Sequence, residues 1–212
     1  MAVITKIEIQ KRNKERVNIY LDGEYAFAIS VELVYKENLK VKDEVDTEKL
    51  KSVADKEAYI RCKNSALKII ERSYKTEKEV REKLLMKGYE ERHIENSIQF
   101  LKEYKFLNDE YYAEAFIRDK LSSKGSARIK QDLIKKGISR EIIEEKIEGI
   151  DKSSEKETAK ELAEKKLRVI RKSESDTYKI SGKLYRFLIS KGYTYDIVKE
   201  VVKDVMYIDD FE

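Results

Sequence analysis

Three short stretches of similar sequence decide the fold of this 212-residue chain: LLMKGY at Leu84–Tyr89, LIKKGI at Leu133–Ile138 and LISKGY at Leu188–Tyr193. Their glycines lie 49 and 55 residues apart. A glycine directly after an apolar helical pattern ends a helix by adopting left-handed backbone geometry, so each stretch predicts a helix C-terminus. Recurrence at a period of about 50 residues is typical of a helical-repeat array.

Apolar residues on both sides of each glycine predict two of the helices in every repeat. In the first repeat, Val80 and Leu84 precede the glycine and Ile94 and Ile98 follow it. Each pair is spaced four residues apart, which places its members on one face of a helix. The matching pairs in the other repeats are Ile129 and Leu133 with Ile143 and Ile147, and Leu184 and Leu188 with Val198 and Val202.

A third helical pattern opens each repeat, at 66–70, 113–117 and 159–167. The chain is therefore predicted to be mainly α: a tandem array of three three-helix repeats, elongated and curved, because neighbouring repeats contact only each other. Extra residues around 173–179 predict a longer loop in the third repeat. We expect four segments: an N-terminal β-meander with short helices at 1–56, and repeats at 57–109, 110–152 and 153–212.

Polar residues mark where the middle helix of each repeat begins. Thr76 and Glu79 have the spacing of a capping box, in which each side chain bonds the other residue's backbone N–H. Ser126 and Ser181 stand at similar places in the second and third repeats, so we expect them to cap the corresponding helices.

The first 29 residues have the alternating pattern of β-strands instead. Val17, Ile19 and Leu21 alternate with polar residues, and the same alternation resumes after Asp22-Gly23. Asp-Gly between two such runs predicts a tight hairpin, because a type I′ turn needs positive φ at both central residues. A third strand is predicted upstream, joined by a turn at 12–15, and the meander must pack on a helix at 30–38 capped by Ser30.

The composition argues against an enzyme and against a membrane protein. His93 is the single histidine and Cys62 the single cysteine, too few for a His/Cys metal cluster, and no Gly-rich phosphate loop occurs. We expect His93 to be solvated at a helix start and Cys62 to be a buried, reduced thiol. No stretch approaches the roughly 18 apolar residues of a membrane span, nor does the start resemble a signal peptide, so we expect a soluble cytoplasmic protein without a cofactor.

Charge is segregated along the repeats although the net charge is only +4. Residues 118–140 hold eight basic side chains and two acidic ones, whereas 141–151 hold five acidic and one basic. Residues 61–87 are again basic, with nine basic against four acidic side chains. A repeated positive stripe suits a phosphate backbone or a filament groove, although a solvated helical surface is the plainer interpretation.

From this segregation we predict a binding surface in the second repeat, and a secondary one in the first. The primary candidates are Arg118, Lys120, Lys124, Arg128, Lys130 and Lys135. The secondary candidates are Arg72, Lys75, Arg81 and Lys87. The stretch 122–128 favours two interpretations equally, an anion-binding corner at a helix N-terminus or a helix–helix turn with a serine cap. Stacking on bases is the less favoured explanation for the tyrosines; Tyr89 and Tyr193, which follow the Lys-Gly pairs, are expected to pack.

Several of these motifs together resemble the RecX family. They are FLNDEYYA at 106–113, the short motifs Lys-Gly at 124–125, Arg-Ile at 128–129, Asp-Leu at 132–133 and Lys-Gly-Ile at 136–138, and the pattern of the first repeat at 66–89. The resemblance covers about residues 58–205, and the strands at 4–23 resemble an extension carried by many Gram-positive members. Tyr112 stands where the family pattern leads us to expect phenylalanine.

The resemblance implies a regulator of RecA in DNA recombination, repair and the SOS response. RecX-like proteins bind the RecA filament on single-stranded DNA and modulate, mostly inhibit, its ATPase, extension and strand exchange. A monomer is expected, with the basic face contacting RecA or the DNA directly. The resemblance supplies no catalytic residues. Two alternatives stay open: a DNA-binding helical module acting without RecA, and a protein–protein adaptor.

Overall fold

The computed structural model describes residues 1–11 and 13–207 of the chain. Its elements in chain order are β1 Ala2–Ile9, β2 Arg16–Leu21, β3 Glu24–Ser30, α1 Val31–Lys36, β4 Glu44–Val45, α2 Thr47–Arg72, α3 Glu77–Met86, α4 Glu91–Glu103, α5 Asp109–Lys120, α6 Ser126–Lys135, α7 Arg140–Glu148, α8 Lys152–Ile170, α9 Thr177–Lys191 and α10 Tyr195–Tyr207. The fold is mainly helical, as predicted. Within the described ranges, no helix is both long and apolar enough to cross a membrane.

The chain divides into two compact units. The first comprises Met1–Ser73 and Val80–Phe106, and the second comprises Tyr74–Glu79 and the chain from Leu107 onward. The division falls inside α3, whose first turn belongs to the second unit.

An antiparallel sheet of four strands, in the order β3-β2-β1-β4, opens the first unit. The β2–β3 hairpin turns at Asp22 and Gly23, whose φ angles of 50° and 91° confirm the predicted left-handed pair. The predicted 12–15 turn joins β1 to β2 but includes Arg12, which lies outside the described residues. β4 was not predicted, because it is only two residues long and pairs Val45 with Ala2 far away in sequence.

Two helices cover one face of this sheet. The Ser30 hydroxyl accepts a hydrogen bond from Leu33 N and caps α1, as predicted. Ile4, Ile19 and Ile29 from the strands are fully buried, and Ala54 from α2 belongs to the same buried cluster. α2 runs on as one 26-residue helix, so the expected boundary after residue 56 falls inside it.

The three repeats are formed by the second half of α2 with α3 and α4, by α5–α7, and by α8–α10. Gly88, Gly137 and Gly192 follow the middle helices with φ angles of 79°, 84° and 92°. In each case the next residue donates its N–H to the carbonyl five residues back, as Tyr193 does to Leu188 at 3.3 Å. These are the predicted left-handed helix ends.

The caps of the middle helices were only partly predicted. The capping box of Thr76 and Glu79 is confirmed, since each donates its N–H to the other's side chain. The predicted serine caps are wrong. Gly125 occupies the cap position of α6, and Asp176 caps α9, which places Ser181 inside that helix. The loop before α9 spans 171–176, so part of the expected 173–179 loop is the first turn of α9.

Two residues singled out in the sequence lie in the interior of the first unit. Cys62 is fully buried, as predicted, and burial raises the pKa of its thiol. His93 is only 3% exposed, so the expectation of a solvated histidine is wrong. Its Nε2 lies 3.3 Å from Asp55 Oδ1, because the first turn of α4 packs on α2 and brings these side chains together.

Tyr193 packs in the core of the third repeat, as predicted, and gives a stability prediction. Its hydroxyl is buried without a hydrogen-bond partner among the described residues. Burial, reinforced by the charge of Glu155, raises the pKa of Tyr193 to about 12. The folded state therefore keeps this proton where the unfolded chain, with an ordinary tyrosine pKa near 10, releases it.

We expect Tyr193→Phe to unfold at the same or a higher urea concentration at pH 7, since no hydrogen bond is lost. Wild type should lose stability as the pH rises from about 10 to 12, and the variant should lose less. Urea unfolding at pH 7 and at alkaline pH measures the stability of wild type and variant. Tyr178→Phe, at an exposed position, is the control. If Tyr193→Phe and Tyr178→Phe lost the same stability at alkaline pH, the prediction would be contradicted.

Candidate functional site

Three of the six primary candidates gather around Asp132 on α6. Lys124 Nζ lies 2.6 Å from Asp132 Oδ2, and Arg128 Nε lies 3.7 Å from Asp132 Oδ1. Lys135 follows three residues after Asp132, which puts it on the same face of the helix. The hydrogen bond from Lys124, with the charges of Arg128 and Lys135, lowers the pKa of Asp132. We call Lys124, Arg128 and Lys135 the α6 basic face; it holds three cations beside one carboxylate, so it keeps a positive excess.

Two other candidates lie away from that face. Lys130 points to the opposite side of α6 and forms an ion pair with Glu144 of α7 at 3.1 Å. Arg118 lines a separate cleft of about 510 Å³ between α5, α7 and α8, beside Lys146. The charge count could not separate these positions, because adjacent charges in sequence are distributed around the helix.

Lys120 belongs to a lysine–aromatic cluster on α5 and α6. The rings of Tyr112 and Phe116 are stacked with centroids 6.1 Å apart. Lys120 lies 5.8 Å from the Phe116 centroid, and Lys136 lies 5.3 Å from that of Tyr112. Lys136 also forms an ion pair with Glu79 at 2.8 Å. Lys136 was not among the predicted site residues. The four-residue spacing of Tyr112 and Phe116, which places both rings on one face of α5, could have indicated this cluster.

The α6 N-terminus does not form an anion-binding corner. Gly125 N donates to Lys191 O at 3.0 Å, and Ala127 N donates to the Gly192 carbonyl at 3.2 Å. Ser126 N donates to the carboxylate of Glu155 at 2.6 Å. Because protein acceptors occupy the first amides, the anion-binding interpretation is wrong. The stretch 122–128 contains the turn from α5 to α6 and packs against the third repeat.

Glu155 is a buried carboxylate that sequence reasoning missed. It is 5% exposed and lies in the first turn of α8, where nothing local distinguishes it from other glutamates. Its role depends on Ser126, which is 29 residues away in sequence.

We expect Glu155→Ala to lower the free energy of unfolding by about 2 kcal/mol, because it leaves the half-buried Ser126 N–H without its charged acceptor. Urea denaturation followed by circular dichroism measures the loss. Glu157→Ala, at an exposed position on the same helix, is the matched control and should change little. Equal effects of the two substitutions would argue against the capping role.

The secondary candidates are divided between the two units. Arg72, Arg81 and Lys87 lie in the first, and Lys75 lies in the second. Arg81 forms ion pairs with two acidic residues of α4, whereas Arg72 and Lys87 are exposed at helix ends.

Family models match four successive segments of the chain. The regulatory protein RecX N-terminal domain matches residues 2–46, and the first, second and third RecX three-helix domains match 62–101, 108–147 and 154–202. These segments cover the sheet and all three repeats. Neither the first nor the second repeat match spans the loop that leads into the next repeat.

Relatives and solved structures agree with these matches. Regulatory protein RecX of Clostridium botulinum strain Alaska E43 is 59% identical over all of both chains. That of Clostridium beijerinckii is 58% identical over 99% of this chain and 98% of the relative. A crystal structure of regulatory protein RecX superposes with a TM-score of 0.68 at 29% identity, covering 96% of this chain and 100% of the other. RecX from Lactobacillus salivarius has a TM-score of 0.64 at 29% identity, over 70% of this chain and 96% of the other. The chain belongs to the RecX family of regulatory proteins.

Proposed function

We propose that this protein binds the filament of RecA on single-stranded DNA and inhibits its ATPase, its extension and strand exchange. The observation that carries the proposal is membership of the RecX family along almost the whole chain. The relatives are named regulatory proteins, and we add the RecA filament as the partner of this chain.

We propose the α6 basic face as the main contact with the filament. Its three cations outnumber the one carboxylate beside them, which pairs with Lys124 and Arg128. Among the described residues, Lys135 has no ion-pair partner, so its charge is available without breaking an internal contact. Long-range attraction to the phosphates of DNA, or to acidic protein surface, favours such a face.

The lysine–aromatic cluster is proposed as a second contact. Lys120 and Lys136 carry charge beside two half-buried rings, a combination that suits an unstacked base or an apolar protein side chain. Arg118 and Lys130 face other directions and are assigned a smaller part.

The test is the single-stranded-DNA-dependent ATPase of RecA with this protein added at substoichiometric amounts. We expect suppression well below one copy per RecA, because a regulator of a filament acts on many protomers at once. Binding to bare single-stranded DNA is measured alongside across a salt series. An unchanged ATPase with steeply salt-dependent binding to bare DNA would instead identify a DNA-binding module that acts without RecA.

A further inference from the structure

A groove in the first unit lies where the β2–β3 sheet meets α1 and α2. Its volume is about 590 Å³. Two arginines line it, Arg16 from β2 and Arg61 from α2. Glu57, which precedes Arg61 by four residues on α2, lines it as well. Leu33, Val53 and Ile60 form its apolar part.

The two arginines present buried N–H groups without acceptors. Arg16 Nη2 donates to Ala28 O at 2.5 Å, but Arg16 Nε is buried without a partner among the described residues. Arg61 Nη1 is likewise buried and unpartnered there. A guanidinium is always charged and has five N–H donors, so leaving them unsatisfied in a buried position opposes folding. Buried polar groups of this kind are rare and call for a ligand or another explanation.

Among the half-buried charged residues of the groove, Arg16 and Arg61 are two like charges and Glu57 is the one carboxylate. Burial, followed by the nearby charge of Arg61, lowers the pKa of Arg16, while Glu57 acts in the other direction. Both oxygens of Glu57 already lie 3.1 Å from Ser30 N, at the start of α1. One further negative charge would balance the pair and accept the free N–H groups.

The surroundings favour a carboxylate over a phosphate chain. Four exposed charged side chains line the groove, Glu15, Glu32, Lys36 and Lys56, and their charges cancel, so it offers the successive phosphates of a nucleic acid no excess of exposed cations but can hold a single acidic side chain at the two arginines. The apolar lining, with Ile60 still 49% exposed, suits aliphatic residues next to that side chain. We propose that this groove binds one aspartate or glutamate side chain, flanked by aliphatic residues, of a protein partner.

This inference does not depend on the proposed regulation of RecA. The probe is the peptide acetyl-Leu-Asp-Leu-amide, and its isosteric control is acetyl-Leu-Asn-Leu-amide. NMR of the full-length protein observes the Nε–H signal of Arg16 directly. We expect the aspartate peptide to shift this signal in a saturable manner, and the asparagine peptide to leave it in place.

Arg61→Gln is the decisive variant, and Lys56→Gln is its control, since Lys56 is an exposed lysine lining the same groove. Arg61→Gln should abolish the peptide-induced shift and leave the melting temperature of the free protein unchanged or higher, because a half-buried charge with an unpartnered N–H group among the described residues is removed. Lys56→Gln should keep the response. A lower melting temperature in Arg61→Gln with no peptide response in wild type would overturn the proposal and make the arginine purely structural. A response to oligo-dT but not to the aspartate peptide, lost in Arg61→Gln, would overturn it in favour of a nucleic-acid site.

Discussion

Gly192→Ala is expected to destabilise the second unit by about 3 kcal/mol, whereas Gly88→Ala costs about 1 kcal/mol. Both glycines end a middle helix with left-handed φ angles, 92° and 79°. An alanine at either position therefore bears a similar backbone cost. Their surroundings differ: a Cβ at Gly192 would lie 2.2 Å from Arg128 Cβ, whereas nothing lies within 4 Å of one at Gly88.

The added cost at Gly192 comes from close backbone packing at the junction of the second and third repeats. Arg128 lies in the first turn of α6, and its Cβ and backbone N are fixed by that helix, so neither can move aside cheaply. Gly125 approaches from the same turn, and its own Cβ would lie 2.3 Å from the Gly192 carbonyl oxygen. Overpacking of this kind typically adds about 1–3 kcal/mol to the backbone cost.

Urea denaturation of the two variants, followed by circular dichroism, measures the difference. The comparison controls for the alanine itself and for the left-handed backbone, so the excess in Gly192→Ala reports the junction alone. Equal losses in the two variants would show that α6 does not pack closely on the end of α9. A loss in Gly88→Ala larger than that in Gly192→Ala would contradict the packing argument outright.

The features predicted correctly from the sequence have local causes. Asp22-Gly23 determines its turn because the required φ angles depend on those two residues. The Lys-Gly helix ends and the box of Thr76 with Glu79 are fixed by hydrogen bonds within a few residues. The three-helix repeats could be predicted because two apolar residues four apart lie on one face of their own helix, whatever that helix packs against.

The features missed by the sequence depend on contacts between distant residues. Ser126 looked like a cap, but the Glu155 carboxylate of the next repeat takes its N–H. His93 looked solvated, but α2 covers it and Asp55 lies beside it. The candidate site shows the same limit, since charge counting identified a basic segment but could not tell Lys130, paired with α7, from Lys135 on the opposite side.

Arg128→Gln with Lys135→Gln is expected to raise the concentration of this protein that half-inhibits the RecA ATPase by about tenfold at low salt, since each lost charge contact weakens binding severalfold. Both side chains belong to the α6 basic face, and both are exposed. Glutamine keeps much of their length and polarity. It is preferable to charge reversal at Lys124 and Arg128, because acidic residues there would stand beside Asp132 and perturb the helix as well as the contact.

Lys130→Gln is the matched control, since it removes one cation from the same helix but from the side that pairs with Glu144. It should change the half-inhibiting concentration little, and melting temperatures of both variants should stay near that of wild type. Equal weakening by the control would mean that net charge, and not the α6 basic face, determines binding.

The salt dependence of binding distinguishes contact with DNA from contact with RecA. If the α6 basic face contacts DNA phosphates, the double variant should lower the slope of log affinity against log salt by about two. An unchanged slope with weakened inhibition would place these cations on an acidic surface of the RecA protein itself.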